Sequence, residues 1–186
     1  LFTGSWATPE TVVVMEADHV RAATDAAHEK DALVFAHPSD SDGARVAIEN
    51  GVDILAHTFP SEIKGPWDKT LPRKMADRGM SLVPTLKLFR PELTRAGLPA
   101  FVVDMVENIA VAQTRACHEA GVQILFGTDV GYMDDPDTNE EFRLMGIAGL
   151  GYRDILASLT TNPASRFGVA DSNGKIAPGY EGDLVL

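Results

Sequence analysis

The sequence predicts an α/β protein with a parallel β-sheet, and three observations support this prediction. Four short apolar runs alternate with segments of helical periodicity. The runs are nearly continuous in apolar residues, as in strands that are covered on both faces. Three of them begin just after Gly51, Gly79 or Gly121, each placed to end a helix in the left-handed conformation that glycine adopts without steric cost.

The predicted elements follow in order along the chain. We predict strands over residues 32–37, 52–57, 81–85 and 122–129, and a short strand over 183–186. We predict helices over residues 18–30, 41–50, 68–78, 99–120, 138–149 and 153–161. Within the long fourth helix, spacings of three and four predict an inward-facing stripe made of Phe101, Val102, Met105, Ile109, Ala112 and Ala116.

Composition and charge restrict the class of protein and its partners. The 186 residues are 45% hydrophobic and 23% charged, which is typical of a globular domain with one core. The formal net charge of −11 disfavours nucleic acid and anionic membranes as partners. No apolar run approaches the ~20 residues of a membrane span. We therefore expect a small-molecule substrate and a cytoplasmic location, and leave open both a homo-oligomer and a signal peptide ahead of Leu1.

Polar side chains stand where the four predicted strands end. These residues are His37, His57, Thr85 and Asp129. Because the carboxyl ends of parallel strands meet at one edge, and adjacent strands lie about 4.8 Å apart, these groups converge. Two histidines and a carboxylate match the ligand count of a catalytic zinc site that keeps one position open for water. The sequence therefore predicts a metal site at this edge of the sheet.

Simpler interpretations stay open for each residue. A strand-end histidine is more often a hydrogen-bonded structural residue than a ligand, and Asp129 is equally suited to an Asx-turn or an N-cap. The chain would then be a non-catalytic binding or structural domain. The coincidence of all three residues at strand ends favours the metal site. We assign no chemistry to the other histidines or to the lone cysteine, which are His19, His28, His118 and Cys117.

Several motifs, in the same order, resemble the amidohydrolase superfamily, and most of all its imidazolonepropionase-like and prolidase-like branch. Residues 36–38 and 43–58 resemble its strands five and six, and residues 120–131 resemble its strand eight. Residues 159–164 and 174–186 resemble its C-terminal signature. The resemblance covers most of the chain from about Asp18 onward.

The resemblance implies a partial (β/α) barrel of the TIM-barrel type. It would run from the end of strand four, at residues 1–6, through strand eight, so that residues 1–170 form the C-terminal half of the barrel. Residues 171–186 would then return into a small β-sandwich. The family's His-x-His pair and its bridging lysine have no counterpart in this sequence, so we expect these 186 residues to be inactive when isolated.

The resemblance also implies a function and roles for the site residues. The function would be metal-dependent hydrolysis of a non-peptide or dipeptide carbon–nitrogen bond by a metal-activated water, with lactone or phosphoester hydrolysis as the alternative. His37, His57 and Asp129 would bind one or two divalent metal ions, with zinc expected. Asp129 would relay protons, and His57 or a neighbour would polarise the substrate carbonyl. Among aromatic and basic residues of the strand-end loops, Tyr132 is the preferred substrate-binding residue; the others are Trp6, Phe59, Trp67, Lys87 and Arg90.

Overall fold

The computed structural model describes residues 15–60 and 66–183. Its sheet has four parallel strands that lie side by side in chain order. They are β1 (Phe35–Ala36), β2 (Ile54–Ala56), β3 (Ser81–Val83) and β4 (Gln123–Ile124). The predicted parallel sheet is confirmed, although the regular strands are two or three residues long and thus shorter than the apolar runs.

Helices connect the successive strands and continue beyond the last one. They are α1 (Ala17–His28), α2 (Ser41–Glu49), α3 (Leu71–Asp77), α4 (Phe89–Arg95), α5 (Ala100–Ala120), α6 (Asn139–Ile147), α7 (Tyr152–Leu159) and α8 (Thr161–Arg166). A 3-10 turn, Leu86–Leu88, precedes α4. The sequence patterns did not predict this turn, α4 or α8. The three helix-ending glycines have φ between 62° and 88°, so their predicted left-handed conformation is confirmed.

The core lies between one face of the sheet and the helices. The strand register aligns Ala36, Leu55, Leu82 and Ile124 in one row, and all four are buried in the apolar cluster. Helices α2, α3 and α5 contribute most of the opposing side chains; they include Ala47, Ile48, Met75, Val106, Ala110 and Cys117. Cys117 is fully buried in this core, and burial raises the pKa of its thiol to about 12.

The neighbouring row of strand residues contacts the end of α8. Phe35 stacks on Phe167 with ring centroids 6.4 Å apart. The Arg166 guanidinium donates to Ser81 Oγ, which in turn donates to Gln123 Oε1. Phe35 is nevertheless 46% exposed at the β1 edge, whereas Ile54 and Ser81 in the same row are fully buried.

The predicted inward stripe of α5 is wrong by about one residue. Phe101 and Met105 are 73% and 52% exposed, whereas the buried positions are Val103, Val106, Ala110, Val111, Gln113, Thr114 and Cys117. The true stripe also has spacings of three and four. Two polar residues, Gln113 and Thr114, interrupt its apolar pattern.

Two further predictions fall largely outside the described residues. The predicted strand over 183–186 has only Asp183 within them, where the backbone is not a strand. The likeness of residues 1–6 to a strand end also lies outside them. Among the described residues, none of the helices is long and apolar enough to cross a membrane.

Candidate functional site

The residues predicted to form the site lie together at the carboxyl ends of the strands. His37 follows β1 directly and His57 follows β2 directly. Their rings meet edge to face with centroids 5.0 Å apart. His57 Nε2 lies 3.9 Å from Asp129 Oδ2, which is beyond a hydrogen bond but within ion-pair range. The parallel register thus places the two imidazoles and the carboxylate next to one another.

Thr85, two residues beyond β3, completes this cluster. Its Oγ1 lies 2.5 Å from His57 Nδ1, a short hydrogen bond whose donor depends on the imidazole tautomer. Thr85 is buried and His57 nearly so. Because Nδ1 is engaged by Thr85, Nε2 is the ring nitrogen that faces Asp129.

Two of the strand-end residues have a left-handed backbone. Thr85 has φ 43° and Asp129 has φ 60°. Aspartate tolerates this region, but a β-branched residue such as threonine is a genuine outlier there. Such conformations cost on the order of 1–3 kcal/mol and persist only where the surroundings enforce them. The residues around Thr85 must therefore hold its backbone in this conformation.

Burial sets the protonation of the two imidazoles. Burial lowers the pKa of His57 to about 4, against the opposing effect of the Asp129 carboxylate and with a smaller contribution from His37. Burial likewise lowers the pKa of His37 below its ordinary value, and Asp129 again opposes it. Both rings are therefore neutral at pH 7, and each keeps one nitrogen lone pair for a ligand or a proton.

A close backbone approach positions the segment that leads to Asp129. A Cβ built on Gly127 would lie 2.5 Å from Val83 Cγ1, so only glycine fits between β3 and the chain beyond β4. Beyond Asp129, the backbone N–H groups of Tyr132 and Met133 donate to the Asp129 carbonyl at 3.2 and 3.1 Å. Asp129 thus lies between a glycine contact and a tight turn.

The predicted residues approach one another without forming a closed ligand cluster. Within residues 15–60 and 66–183, no group of three or more His, Cys, Asp or Glu side chains is arranged to hold a metal ion. The two histidines are in contact, and His57 Nε2 lies 3.9 Å from Asp129 Oδ2. The donor types required for a divalent metal are therefore present at one place.

The remaining predicted loop residues have structural partners. Tyr132 is 57% exposed and its hydroxyl donates to Glu92 Oε1 at 2.8 Å. The Arg90 guanidinium pairs with Asp104 and Glu107 on α5. Phe59 is buried against Trp67, with ring centroids 6.4 Å apart. Trp6 lies outside the described residues. Of these residues, Tyr132 stays exposed in the turn that follows Asp129.

Sequence reasoning missed two buried polar residues that hold the strand-end loops. Gln113 on α5 and Glu141 on α6 are both fully buried. Gln113 bonds to the backbone of Phe59, two residues after His57. Glu141 accepts hydrogen bonds from backbone groups directly after Thr85. From the sequence alone, a polar residue in a helix is expected to be exposed to solvent. The roles of Gln113 and Glu141 become visible only in their contacts with the strand-end loops.

A cavity of about 280 Å³ lies elsewhere, at the opposite end of β4. Its lining includes His118, Asp154 and Asn162. His118 and Asp154 form a loose ion pair at 3.8 Å, and Asn162 donates to the Ile124 carbonyl. This cavity is therefore separate from the cluster at the carboxyl ends of the strands.

A family model for the amidohydrolase family matches residues 1–186. No curated protein matches the chain at a significant level. Solved structures similar to the chain include a prolidase in complex with N-methylphosphonate-L-proline, with 26% identity and a TM-score of 0.74; the match covers 96% of this chain and 44% of that one.

Two further solved structures show the same fold at lower identity. A Xaa-Pro dipeptidase with methionine bound in its active site has 23% identity and a TM-score of 0.76, covering 90% of this chain and 42% of that one. The ochratoxinase of A. niger has 19% identity and a TM-score of 0.77, covering 98% and 42%. The chain thus spans less than half the length of these solved proteins.

Proposed function

Because the chain belongs to the amidohydrolase family, we propose that the protein hydrolyses a carbon–nitrogen bond in a small substrate with the help of a divalent metal ion. One observation carries this proposal: His37, His57 and Asp129 lie side by side at the carboxyl ends of parallel strands. In folds built from parallel strands and helices, catalytic groups gather at this edge. Similarity to a prolidase favours Xaa-Pro dipeptides among the possible amides.

The side chains present fit a divalent metal. Both imidazoles are neutral at pH 7 because burial lowers their pKa values, and a neutral imidazole is the form that binds metal. Asp129 adds a carboxylate, and the mixed nitrogen and oxygen donor set suits zinc. We propose that His37, His57 and Asp129 hold the ion. When bound, such an ion acts as a Lewis acid and makes water more acidic.

Asp129 has the position for proton transfer. Its side chain is 34% exposed, so that water and substrate reach it from the open edge of the sheet, while its carboxylate stays next to His57. In the proposed reaction it accepts a proton from the attacking water and returns a proton to the leaving nitrogen. Because His57 Nδ1 bonds to Thr85 and Nε2 is the proposed ligand atom, a neighbour of His57 polarises the substrate carbonyl. Tyr132, exposed in the same loop, contacts the substrate.

We also propose how the chain is organised. Residues 1–170 form four βα units of a larger (β/α) barrel, and residues 171–186 lead into a separate small β-sandwich. Support comes from the parallel order of the four strands and from the fraction of the similar chains that is matched. A small-molecule substrate and a cytoplasmic location are part of the same proposal.

The test is an activity assay of the metal-loaded product of the complete gene, with Asp129→Asn and a control variant. Xaa-Pro dipeptides, hydantoin-like amides, lactones and phosphoesters form the substrate panel. We expect amide hydrolysis by the wild type and a loss of about 10²- to 10⁴-fold in D129N, as for removal of a general acid or base. Asp134→Asn, in the same loop, is the matched control and keeps full activity.

The panel has outcomes that contradict the proposal. Hydrolysis of lactones or phosphoesters with no amide turnover would replace the proposed substrate class. Full amide hydrolysis in D129N would remove the proton-transfer role. Failure of the wild type to bind zinc or another divalent ion, measured by calorimetry, would favour a non-catalytic domain.

A further inference from the structure

Glu141 is a buried carboxylate outside the proposed site. It lies on α6 and is fully buried. Its two oxygens accept hydrogen bonds from the backbone N–H groups of Leu86, at 3.0 Å, and Lys87, at 2.7 Å. These N–H groups open the 3-10 turn, and the first N–H groups of a helical turn have no partner within it. Glu141 therefore satisfies the start of the turn from a different helix.

The residue before this turn is Thr85, whose left-handed backbone is unfavourable for threonine. Thr85 is the N-cap of the 3-10 turn, with φ 43° and ψ 50°, and its side chain makes no cap hydrogen bond. Its hydroxyl bonds to His57 Nδ1 instead. The geometry that places the hydroxyl on His57 thus depends on a turn that Glu141 holds.

From this series of contacts we infer that Glu141 is a positioning residue for His57: by fixing the 3-10 turn it keeps the Thr85 hydroxyl on Nδ1 and directs Nε2 toward Asp129. A neutral imidazole has one N–H, and the Thr85 hydroxyl can either accept a hydrogen bond from Nδ1–H or donate one to Nδ1. The inferred arrangement is the one in which Nδ1–H donates to Thr85 Oγ1, because only then does Nε2 keep the lone pair that the proposed metal site requires. The inference deepens the proposed function, on which its catalytic meaning rests.

The chemistry of the contact explains why the residue is a glutamate. A carboxylate offers two acceptors and no donor, which matches two neighbouring N–H groups. A glutamine at the same place would present its NH₂ group to one of these donors. An apolar residue would leave both buried N–H groups without a partner, which is unfavourable. Glu141→Gln is therefore the informative substitution, because it changes size very little.

The first experiment measures the ring nitrogens of His57 by ¹⁵N NMR in metal-free protein. We expect the Nδ1–H tautomer to predominate in the wild type. We expect a shift toward the Nε2–H tautomer or a mixture in E141Q. Glu140→Gln is the matched control, since Glu140 is the preceding residue and pairs with Arg143 on its own helix. E140Q leaves the tautomer unchanged.

A double-mutant cycle separates positioning from a general loss of structure. Thr85→Val removes the hydroxyl directly and should change the His57 tautomer as E141Q does. Because both substitutions act through one hydrogen bond, E141Q/T85V should show no additional change. Changes that add in the double variant, or an unchanged tautomer in folded E141Q, would overturn the inference. If E141Q does not fold, Glu141→Asp, which keeps both acceptors on a shorter side chain, takes its place.

The second experiment uses zinc binding, measured by competition with a chelator. Removing a hydrogen bond that orients a ligand typically weakens metal affinity by about 10- to 100-fold. We expect such a loss in E141Q and T85V but not in E140Q, and unchanged affinity in both would overturn the inference. The tautomer is read without metal, so wild-type protein that fails to bind zinc would contradict the proposed function and leave the positioning of His57 separately tested.

Discussion

The Gln113 side chain pairs with the backbone of Phe59 as an adjacent strand would. The Phe59 N–H donates to Gln113 Oε1 at 2.9 Å, and Gln113 Nε2 donates to the Phe59 carbonyl at 3.1 Å. Both residues are fully buried. The pair therefore links α5 to the loop that follows His57. Phe59 and Gln113 are 54 residues apart in the chain.

Replacing Gln113 with leucine should destabilise the protein strongly. The substitution keeps the size of the side chain but leaves the buried N–H and C=O of Phe59 without partners. At about 1–3 kcal/mol for each group, we expect the free energy of unfolding to fall by about 2–5 kcal/mol, measured by urea denaturation. Glu119→Leu, at an exposed position of the same helix, is the control and should change stability by less than about 0.5 kcal/mol. Equal effects would refute the role of the Gln113 pair.

How much of the site could be predicted differs between its parts. The positions of His37 and His57 directly after β1 and β2 follow from local apolar runs. Asp129, predicted as the last residue of a strand, lies about five residues beyond β4. Gln113 and Glu141 act on backbone groups more than 50 residues away along the chain. No local pattern marks such contacts, because a glutamine or a glutamate within a helix has the same sequence signature whether it is solvated or buried.

The lengths of the strands show a second limit of prediction from the sequence. The apolar runs continue for six to eight residues in three of the four cases, but regular pairing stops after two or three. Beyond β4, the chain must pass Val83 at Gly127 and then turn at Asp129. Apolar periodicity reports burial and does not report where hydrogen-bonded pairing ends.

Gly127→Ala should test the close approach to Val83. The new methyl group would lie 2.5 Å from Val83 Cγ1, and overpacking of this kind typically costs about 1–3 kcal/mol. We expect such a loss in G127A by denaturation and partial recovery in the double variant G127A/V83A. Gly146→Ala is the control, because nothing lies within 4 Å of its Cβ and it is helical. G146A should stabilise the protein by about 0.5–1 kcal/mol. If G127A is as stable as the wild type, the contact between residue 127 and Val83 is not tight enough to require glycine.

Lys87→Met should loosen the loop that follows Tyr132. Lys87 is only 5% exposed, and its ammonium group binds the Asp135 carboxylate at 2.9 Å and the backbone carbonyls of Asp135 and Asp137. Methionine keeps the apolar stem and removes these bonds. We expect faster amide hydrogen exchange over residues 134–138 and a loss of about 1–3 kcal/mol in stability.

The control for this variant is Lys74→Met. The Lys74 ammonium pairs with Glu49 at 3.2 Å, and both side chains are largely exposed. Exposed pairs contribute about 0–1 kcal/mol, so K74M should leave the loop and the stability nearly unchanged. Identical hydrogen exchange over residues 134–138 in wild type and K87M would contradict the anchoring role of Lys87.

The buried carboxyl of Glu141 should give the stability a distinctive pH dependence. Burial raises the pKa of Glu141 from 4.5 to about 7, although the N–H groups of Lys87 and Leu86 oppose this effect. Between these pH values the folded protein retains a proton that the unfolded chain releases, so the contribution of Glu141 to stability is lost as the pH rises. At 1.36 kcal/mol per pKa unit, the loss amounts to at most about 3 kcal/mol.

The comparison of wild type with E141Q isolates this contribution from those of other groups. The glutamine cannot titrate and, like the protonated carboxyl of Glu141 at pH 4.5, it has one acceptor oxygen and one donor group. Any deficit in the stability of E141Q should therefore be small at pH 4.5, and E141Q should gain stability relative to the wild type as the pH rises to 7.5, because only the wild type loses stability through Glu141. Urea denaturation at four pH values between these limits measures the difference. E140Q should follow the wild type closely, and a deficit of E141Q that stays constant with pH would show that Glu141 titrates near its ordinary value.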